Sequence, residues 1–240
     1  MWLSFQIALQ FLTIIPVSYA NATEQQLGRS LVFYPLVGLI IGFILSAVVS
    51  VLPVSYSLLS AALLLTVWVL LTGGLHIDGL ADSADAWLGG IGSKQRTLAI
   101  MKDPAAGPIA VIVLGLTLLL KLALLEIVIS SGQIYALIWS IILARTAIPL
   151  LFLTTDYVRP NGIGAVLKHY LPVNQVKWML GITTLIAFFC LGFTPLLLGL
   201  IVFLLLRYAM EHRLDGFTGD TAGAMVELLE ISFLFFLIVF

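Results

Sequence analysis

Three aspartates that follow a Gly-Gly pair have the spacing in this sequence that best suits a catalytic or metal-binding site. Asp78, Asp82 and Asp85 lie at positions i, i+4 and i+7, so a helix places all three carboxylates on one face. Three like charges on one face repel each other, and the next basic residue along the chain is Lys94. Carboxylate oxygens are ligands that suit Mg²⁺, Mn²⁺ and Ca²⁺. The spacing therefore predicts a site for one or two such cations, which would bind a substrate's phosphate groups. A solvated polar face is the alternative.

A second acidic segment, 215–230, leads into the last apolar run of the chain. Asp220 and Glu227 are seven residues apart and therefore share a helical face. Thr218 or Asp220 is the expected N-cap of this helix. Glu227 and Glu230 lie inside the apolar run, where ionisable groups are costly and usually functional. Their alternative is a buried neutral form with a hydrogen-bond partner.

The stretch between these two segments adds residues of both charges. Asp103 precedes Pro104, which predicts either an N-cap of the following helix or a metal ligand. Lys102 and Arg96 either receive phosphate oxygens or anchor the chain at the membrane surface. His76, two residues before the first aspartate, is expected to lie beside the site.

Two further cations interrupt apolar runs. Arg145 lies about 12 Å from the nearer end of its run, so it should pair with a carboxylate or face a polar cavity. Lys121 lies deeper and is interpreted as a structural ion-pair partner.

Membrane helices are the elements that must position these residues. The chain has 240 residues, of which only 10% are charged and 61% are hydrophobic. Soluble domains contain roughly 25% charged residues. The composition therefore excludes a soluble globular domain, a disordered chain, a coiled coil and a nucleic-acid-binding module, each of which needs many charges.

Apolar runs predict about seven membrane-spanning helices, since each needs about 20 mostly apolar residues. The run 178–208 is too long for one span, and Gly192 and Pro195 indicate a tight turn between two helices there. Segment 1–17 is uncharged and lacks the basic start of a secretory signal, so a short helix is expected, either interfacial or tucked into the bundle. The fold class is thus an all-α polytopic membrane bundle. The other candidate spans are 31–52, 58–75, 108–129, 134–153 and 224–240.

The loops between these spans alternate in charge. Segments 53–57, 130–133 and 192–195 contain no Lys or Arg, whereas the alternate loops hold nine of the eleven basic residues. The positive-inside rule places the basic loops in the cytoplasm. Because the acidic segments lie on that same side, the site is expected to face the cytoplasm from the cytoplasmic, or inner, membrane.

Three motifs resemble the cobalamin synthase family, whose members are adenosylcobinamide-GDP ribazoletransferases. They are GGLHIDGLADSADAWLGG, RTLAIMKDPAAGPIAVIVLGLTLLLKLALL and GFTGDTAGAMVELLEI, and the opening LQFLTIIPV also fits. The resemblance covers nearly the whole chain and implies a single membrane-embedded transferase domain, 1–240. The family often has an acidic residue just before the first aspartate, where this chain has Ile77.

The resemblance implies a Mg²⁺-dependent reaction of adenosylcobinamide-GDP with α-ribazole or its 5′-phosphate, which releases GMP. Asp78, Asp82 and Asp85 are then expected to bind Mg²⁺, and Asp103 or Asp220 to act as the base. Lys102 and Arg145 would stabilise phosphate charge. Membrane lipid surrounds such an enzyme, no nucleic-acid partner is expected, and a homo-oligomer is left open. The remaining pocket candidates are His76, Arg96, Thr218, Thr221 and Glu227.

Two other functions compete with this interpretation. A CDP-alcohol-type lipid phosphotransferase uses an Asp-rich metal motif, which Asp78-Gly79 and the Asp82–Asp85 pair only partly match. A cation transporter would place acidic residues near the bilayer midplane on several helices, or broken helices in paired halves. The clustering of acids at one membrane edge, beside long inner loops, favours chemistry over transport.

Overall fold

The computed structural model describes residues 1–17 and 22–240, and the regular structure in these ranges is helical. Seven helices, counting a short 3₁₀ lead-in where it continues into an α-helix, are long and apolar enough to cross a membrane, as the sequence predicts. The helices are α1 Trp2–Leu12, α2 Glu24–Ser30, α3 Tyr34–Val51, α4 Ser57–Leu71, α5 Leu75–Gly89, α6 Lys94–Ile100, α7 Pro108–Ser131, α8 Ile134–Thr154, α9 Ile163–His169, α10 Val173–Leu191, α11 Phe193–Leu214 and α12 Gly219–Val239.

The loops between the spans are short at one end of the bundle and long at the other. The break between α10 and α11 falls at Gly192, whose φ of 80° lies in the region that favours glycine. Gly132, with φ of 70°, turns α7 into α8 at the same end. The opposite end carries the helices α5, α6 and α9, which lie between the spans. The predicted turn within 178–208 is therefore confirmed.

The N-terminal helix α1 is too short to span a bilayer. It buries Ile7, Ala8 and Leu12 and packs against α2 and the start of α3. The backbone N–H of Ile14 donates to the carbonyl of Leu71 at 2.9 Å, which ties the end of α1 to the end of α4. The expected short N-terminal helix is present, although it ends at Leu12.

Helices α8 and α12 form the centre of the bundle. Helix α8 packs against α3 and α12, while α12 also contacts α5, α7 and α11. Helix α3 approaches α8 closely because Gly38 and Gly42 leave no room for a side chain; a Cβ at Gly38 would lie 3.0 Å from the backbone of Ile141. Small residues four apart are a common device for close helix packing in membranes.

A buried ion-pair network fixes α12 against α7 and α8. Lys121 on α7 contacts Glu227 at 2.7 Å and also pairs with Glu230, which binds Arg145 on α8. The Lys121 ammonium also lies 4.4 Å from the ring centroid of Trp68. The structural ion pair predicted for Lys121 and the carboxylate partner predicted for Arg145 are both confirmed.

Candidate active site

Helix α5 carries the three aspartates along the edge of the bundle. Gly73 and Gly74, with φ of 63° and 68°, reverse the chain after α4 so that α5 begins at Leu75. Asp78 is exposed, whereas Asp82 and Asp85 are half-buried. The helix itself therefore gives the three carboxylates different environments.

Asp85 binds backbone amides at the start of α7. Its two carboxylate oxygens accept hydrogen bonds from the N–H groups of Gly107, at 2.5 Å, and Ala110, at 2.9 Å. Gly107 is required there, since a Cβ would lie 2.7 Å from Asp85 Oδ1. Asp85 thus satisfies the free amides of a helix N-terminus from another helix.

Asp103 does not cap α7, so the first of its two predicted roles, N-cap or metal ligand, is wrong. The helix begins at Pro108 with Gly107 as its N-cap, and the exposed Asp103 accepts a hydrogen bond from the N–H of Ala105 at 3.0 Å. The capping prediction is wrong because the turn between α6 and α7 is longer than Asp-Pro suggests, and the carboxylate of Asp85 accepts the hydrogen bonds that a capping side chain would accept.

Asp220 on α12 lies across from the α5 aspartates because the two helices approach closely. A Cβ at Gly79 would lie 2.7 Å from the carbonyl oxygen of Asp220, and one at Gly223 would lie 3.3 Å from Cα of His76. Burial, followed by repulsion from Asp78 and Asp220, raises the pKa of Asp82 to about 6. Neighbouring negative charges of this kind favour a bound cation.

Arg159 belongs to the site, although its sequence surroundings indicate only a basic loop on the cytoplasmic side. Its guanidinium contacts the Asp220 carboxylate at 2.7 Å. A parallel bridge between Tyr157 and Phe217 holds the two segments together, through Val158 N–H to Phe217 O and Phe217 N–H to Asp156 O, both 2.9 Å. The pairing joins segments far apart in sequence, so no local pattern identifies it.

A cavity of about 330 Å³ opens beside these residues. Asp78, Asp220 and Arg159 line one part of it, and His76 lies in its wall with 4% of its surface exposed. Burial, followed by the positive charges of Arg145 and Lys121, lowers the pKa of His76 well below its usual range. The imidazole is therefore a neutral hydrogen-bonding group.

A second depression, of about 350 Å³, adjoins the first through Arg159 and Gly162. Lys102 and Asn161 also line it. The two spaces together bring the carboxylates of Asp78 and Asp220 close to the cationic groups of Arg159 and Lys102, which suits a metal ion and a substrate that carries phosphates.

Several predicted site residues lie away from this cavity. Arg96 is exposed on α6 and lines neither space. Arg145 and Glu227 are buried in the ion-pair network, so the geometry offers no support for their contact with substrate.

Thr218 and Thr221 form a capping box at the start of α12, with Thr218 as the N-cap. The capping role predicted for Thr218 is therefore confirmed. Both side chains are buried and neither lines the 330 Å³ cavity, so they act on the site by fixing the first turn that carries Asp220.

The described ranges contain no ready-made metal cage. Within residues 1–17 and 22–240, no group of three or more His, Cys, Asp or Glu side chains is arranged to hold an ion. Mg²⁺ is usually bound by one or two carboxylates together with substrate phosphates and waters. Asp78 and Asp82, one turn apart on α5 with Asp220 nearby, suit that open mode of binding.

Comparison with known proteins gives a consistent result over the whole chain. The family model for cobalamin-5-phosphate synthase matches residues 4–238. A Pseudomonas aeruginosa (strain PAO1) protein is 50% identical over 234 residues, which cover 96% of each chain. A Pseudomonas fluorescens (strain Pf0-1) protein is 53% identical over 232 residues, covering 95% of this chain and 96% of the relative. Both relatives are named adenosylcobinamide-GDP ribazoletransferase. No solved structure gives a significant match.

Proposed function

The chain belongs to the cobalamin-5-phosphate synthase family, and we propose that it transfers the adenosylcobinamide-phosphate group of adenosylcobinamide-GDP to α-ribazole or its 5′-phosphate. In this reaction a ribose hydroxyl forms a bond to the cobinamide-linked phosphorus, and the bond from that phosphorus to GMP breaks. The observation that carries the proposal is the cavity where Asp78, Asp220 and Arg159 meet beside Lys102.

Asp220 is the residue best placed to receive the proton of the attacking hydroxyl. It lines the cavity, and its contact with Arg159 together with the capping box of α12 fixes its position. Asp103, the other candidate base, lies exposed on the turn before α7 and does not line the cavity. A base must lie within hydrogen-bond reach of the proton it removes, so the geometry favours Asp220.

Asp78 and Asp82 would hold the Mg²⁺ ion that the family resemblance implies. Their fit rests on the electrostatic surroundings of Asp82, which is half-buried and faces the charges of Asp78 and Asp220. Bound there, the cation would neutralise charge on the diphosphate and on the departing GMP. Asp85, the third predicted ligand, is assigned instead to holding α7, because backbone amides bind both of its oxygens.

Lys102 and Arg159 would bind the outer phosphate oxygens of the same substrate. Lys102 is exposed and lines the second depression, where its flexible ammonium can reach an anion while keeping part of its hydration. Arg159 lies where the two spaces join.

The orientation of the site follows from the distribution of basic residues. Nine of eleven lie at the end of the bundle that carries α5, α6 and α9, in the connecting segments and in the helices and helix ends beside them. The positive-inside rule places that end in the cytoplasm, where nucleotide substrates are found. We therefore assign the protein to the cytoplasmic membrane with its site facing inward.

A product assay tests the proposal. Purified protein is incubated with adenosylcobinamide-GDP, α-ribazole and Mg²⁺, and chromatography measures GMP and the cobalamin product. We expect equal amounts of the two products, and neither when α-ribazole is left out. A parallel incubation with CDP-diacylglycerol and a polar alcohol tests the lipid phosphotransferase alternative. Release of CMP there, with no GMP in the first incubation, would contradict the proposal.

A further inference from the structure

One wall of the 330 Å³ cavity is aromatic. Phe217 makes edge-on contacts with Phe152, at 4.8 Å between ring centroids, and with Tyr157, at 5.3 Å. The rings of Phe152 and Tyr157 stack at 6.3 Å. All three line the cavity together with Ile148 and Leu167. Such a wall binds flat aromatic groups, because ring faces and edges contribute beyond the area they bury.

The Tyr157 ring packs closely against two glycines, which leave the space that the ring fills. A Cβ at Gly162 would lie 2.5 Å from the Tyr157 hydroxyl, and a Cβ at Gly164 would overlap the ring itself. The hydrogen-bonded bridge to Phe217 fixes the backbone on the other side. The wall is therefore preformed, which reduces the entropy lost when a ligand binds.

The cavity's volume limits what enters. Pockets for small ligands span roughly 300–1,000 Å³, so this one lies at the lower end and takes about a single nucleoside. A corrin macrocycle with its side chains is several times larger and must stay at the mouth. Of the substrates in the proposed reaction, either the ribazole or the guanosine part of the nucleotide fits.

The number of hydrogen-bonding groups on the base distinguishes these two candidates. Guanine carries several hydrogen-bond donors and acceptors on its edge, and the apolar wall that includes Phe152, Ile148 and Leu167 would leave them without partners, which is costly. The polar residues of the cavity, Asp78, Asp220 and Arg159, are assigned to the metal ion, the ribose hydroxyl and the phosphates. The dimethylbenzimidazole base of ribazole is apolar except for one ring nitrogen. His76 lies in the same wall, and its Nδ1 has no hydrogen-bond partner among the described residues, so the imidazole is available for the single hydrogen bond that this nitrogen needs.

From these observations we propose that the aromatic wall formed by Phe152 and Tyr157, against both of which the fully buried Phe217 packs, binds the dimethylbenzimidazole base of α-ribazole. The inference rests on the proposed function and adds the location and specificity of one substrate. With the base at this wall, the ribose lies towards Asp220 and the diphosphate lies outside, towards Lys102. The wall thus selects a methylated benzimidazole nucleoside over a purine nucleoside.

Ala222 gives a direct test, with Ala224 as its matched control. Both lie on α12 and are 7% exposed, but Ala222 lines the aromatic cavity while Ala224 lines a separate apolar space beside α5. We expect Ala222→Leu to raise the KM for α-ribazole on the order of tenfold or more while leaving the KM for adenosylcobinamide-GDP unchanged. Ala224→Leu should change neither value. Thermal unfolding in detergent checks that both variants fold.

A nucleoside series on the unaltered protein gives an independent measurement. The α-riboside of benzimidazole without the two methyl groups should show kcat/KM lower by roughly 10- to 100-fold, and the adenine α-riboside lower still. Equal kcat/KM values across the series would overturn the inference, as would an Ala222→Leu variant whose KM rises for adenosylcobinamide-GDP alone. Absence of any GMP release by the unaltered protein would instead overturn the proposed function.

Discussion

Asp82 and Asp85 lie less than one helical turn apart, yet their carboxylates have opposite surroundings. Asp85 accepts two backbone N–H groups, while Asp82 faces the negative charges of Asp78 and Asp220. The spacing of the aspartates predicts a shared helical face, and the structure agrees. It could not predict that the amides of α7 bind one of the three, nor that Arg159 pairs with Asp220, because both contacts join distant parts of the chain.

Substitution of Asp85 tests whether its carboxylate is structural or binds the metal ion. Asp85→Ala leaves the N–H groups of Gly107 and Ala110 without their acceptor, which should lower the free energy of unfolding by about 1–3 kcal/mol. Thermal unfolding measures this loss, and the Mg²⁺ concentration needed for half-maximal rate should stay close to that of the unaltered protein. A large increase in that concentration with unchanged stability would return Asp85 to the metal site.

Arg159 is predicted to hold Asp220 and to contact phosphate. Arg159→Gln should lower kcat on the order of 10- to 100-fold, since the positive charge beside the developing phosphate charge is lost. Arg29→Gln removes an exposed charge from α2 on the same side of the membrane and should leave kcat unchanged. Equal rates for the two variants would remove Arg159 from the proposed site.

At the scale of the elements, α12 is the part that connects the site to the membrane core. Its capping box fixes Asp220, Gly223 allows α5 to approach closely, and its two glutamates bind cations from α7 and α8. Sequence reasoning identifies the cap, because Thr218 lies just before the helix, and the ion pairs, because unpaired charges in an apolar run are costly. The close approach of α5 and α12 is a tertiary contact that no local pattern encodes.

The buried network should be most sensitive to loss of Lys121. Lys121→Met leaves Glu227 without its cation and Glu230 with only Arg145, and breaking a buried pair costs about 3–5 kcal/mol. The thermal midpoint in detergent should fall sharply. Lys177→Met, at an exposed position on α10, should leave the midpoint unchanged. A Lys121→Met variant as stable as the unaltered protein would show that the network does not hold α12.

For the whole molecule, scarcity of charge determines the architecture. With 10% charged residues, seven spans follow from apolar run length alone, and their expected orientation follows from which loops hold Lys and Arg. Helix boundaries are also close to prediction, since glycine and proline mark the turns. The position of α5 against α12 and the shape of the cavity depend instead on packing between helices that are distant in sequence. Composition does not determine that packing.

The topology makes a prediction that reporter fusions check. Alkaline phosphatase fused after Ser131, at the end of α7, should be active, because that turn lies on the side without basic loops. The same enzyme fused after Gly90, at the end of α5, should be inactive and a fluorescent protein there should be bright. The reverse pattern would invert the bundle and place the site outside.

The central claim is that the carboxylates of α5 bind the Mg²⁺ on which transfer depends. The most direct measurement is the initial rate of GMP release from adenosylcobinamide-GDP and α-ribazole as Mg²⁺ is varied, for Asp82→Asn beside Asp156→Asn. Asp156 is an exposed carboxylate on the same side of the membrane and serves as the control. We expect Asp82→Asn to lose on the order of 100-fold or more in rate with unchanged thermal stability, and Asp156→Asn to keep its rate. An Asp82→Asn variant that matches the unaltered protein at every Mg²⁺ concentration would contradict the account.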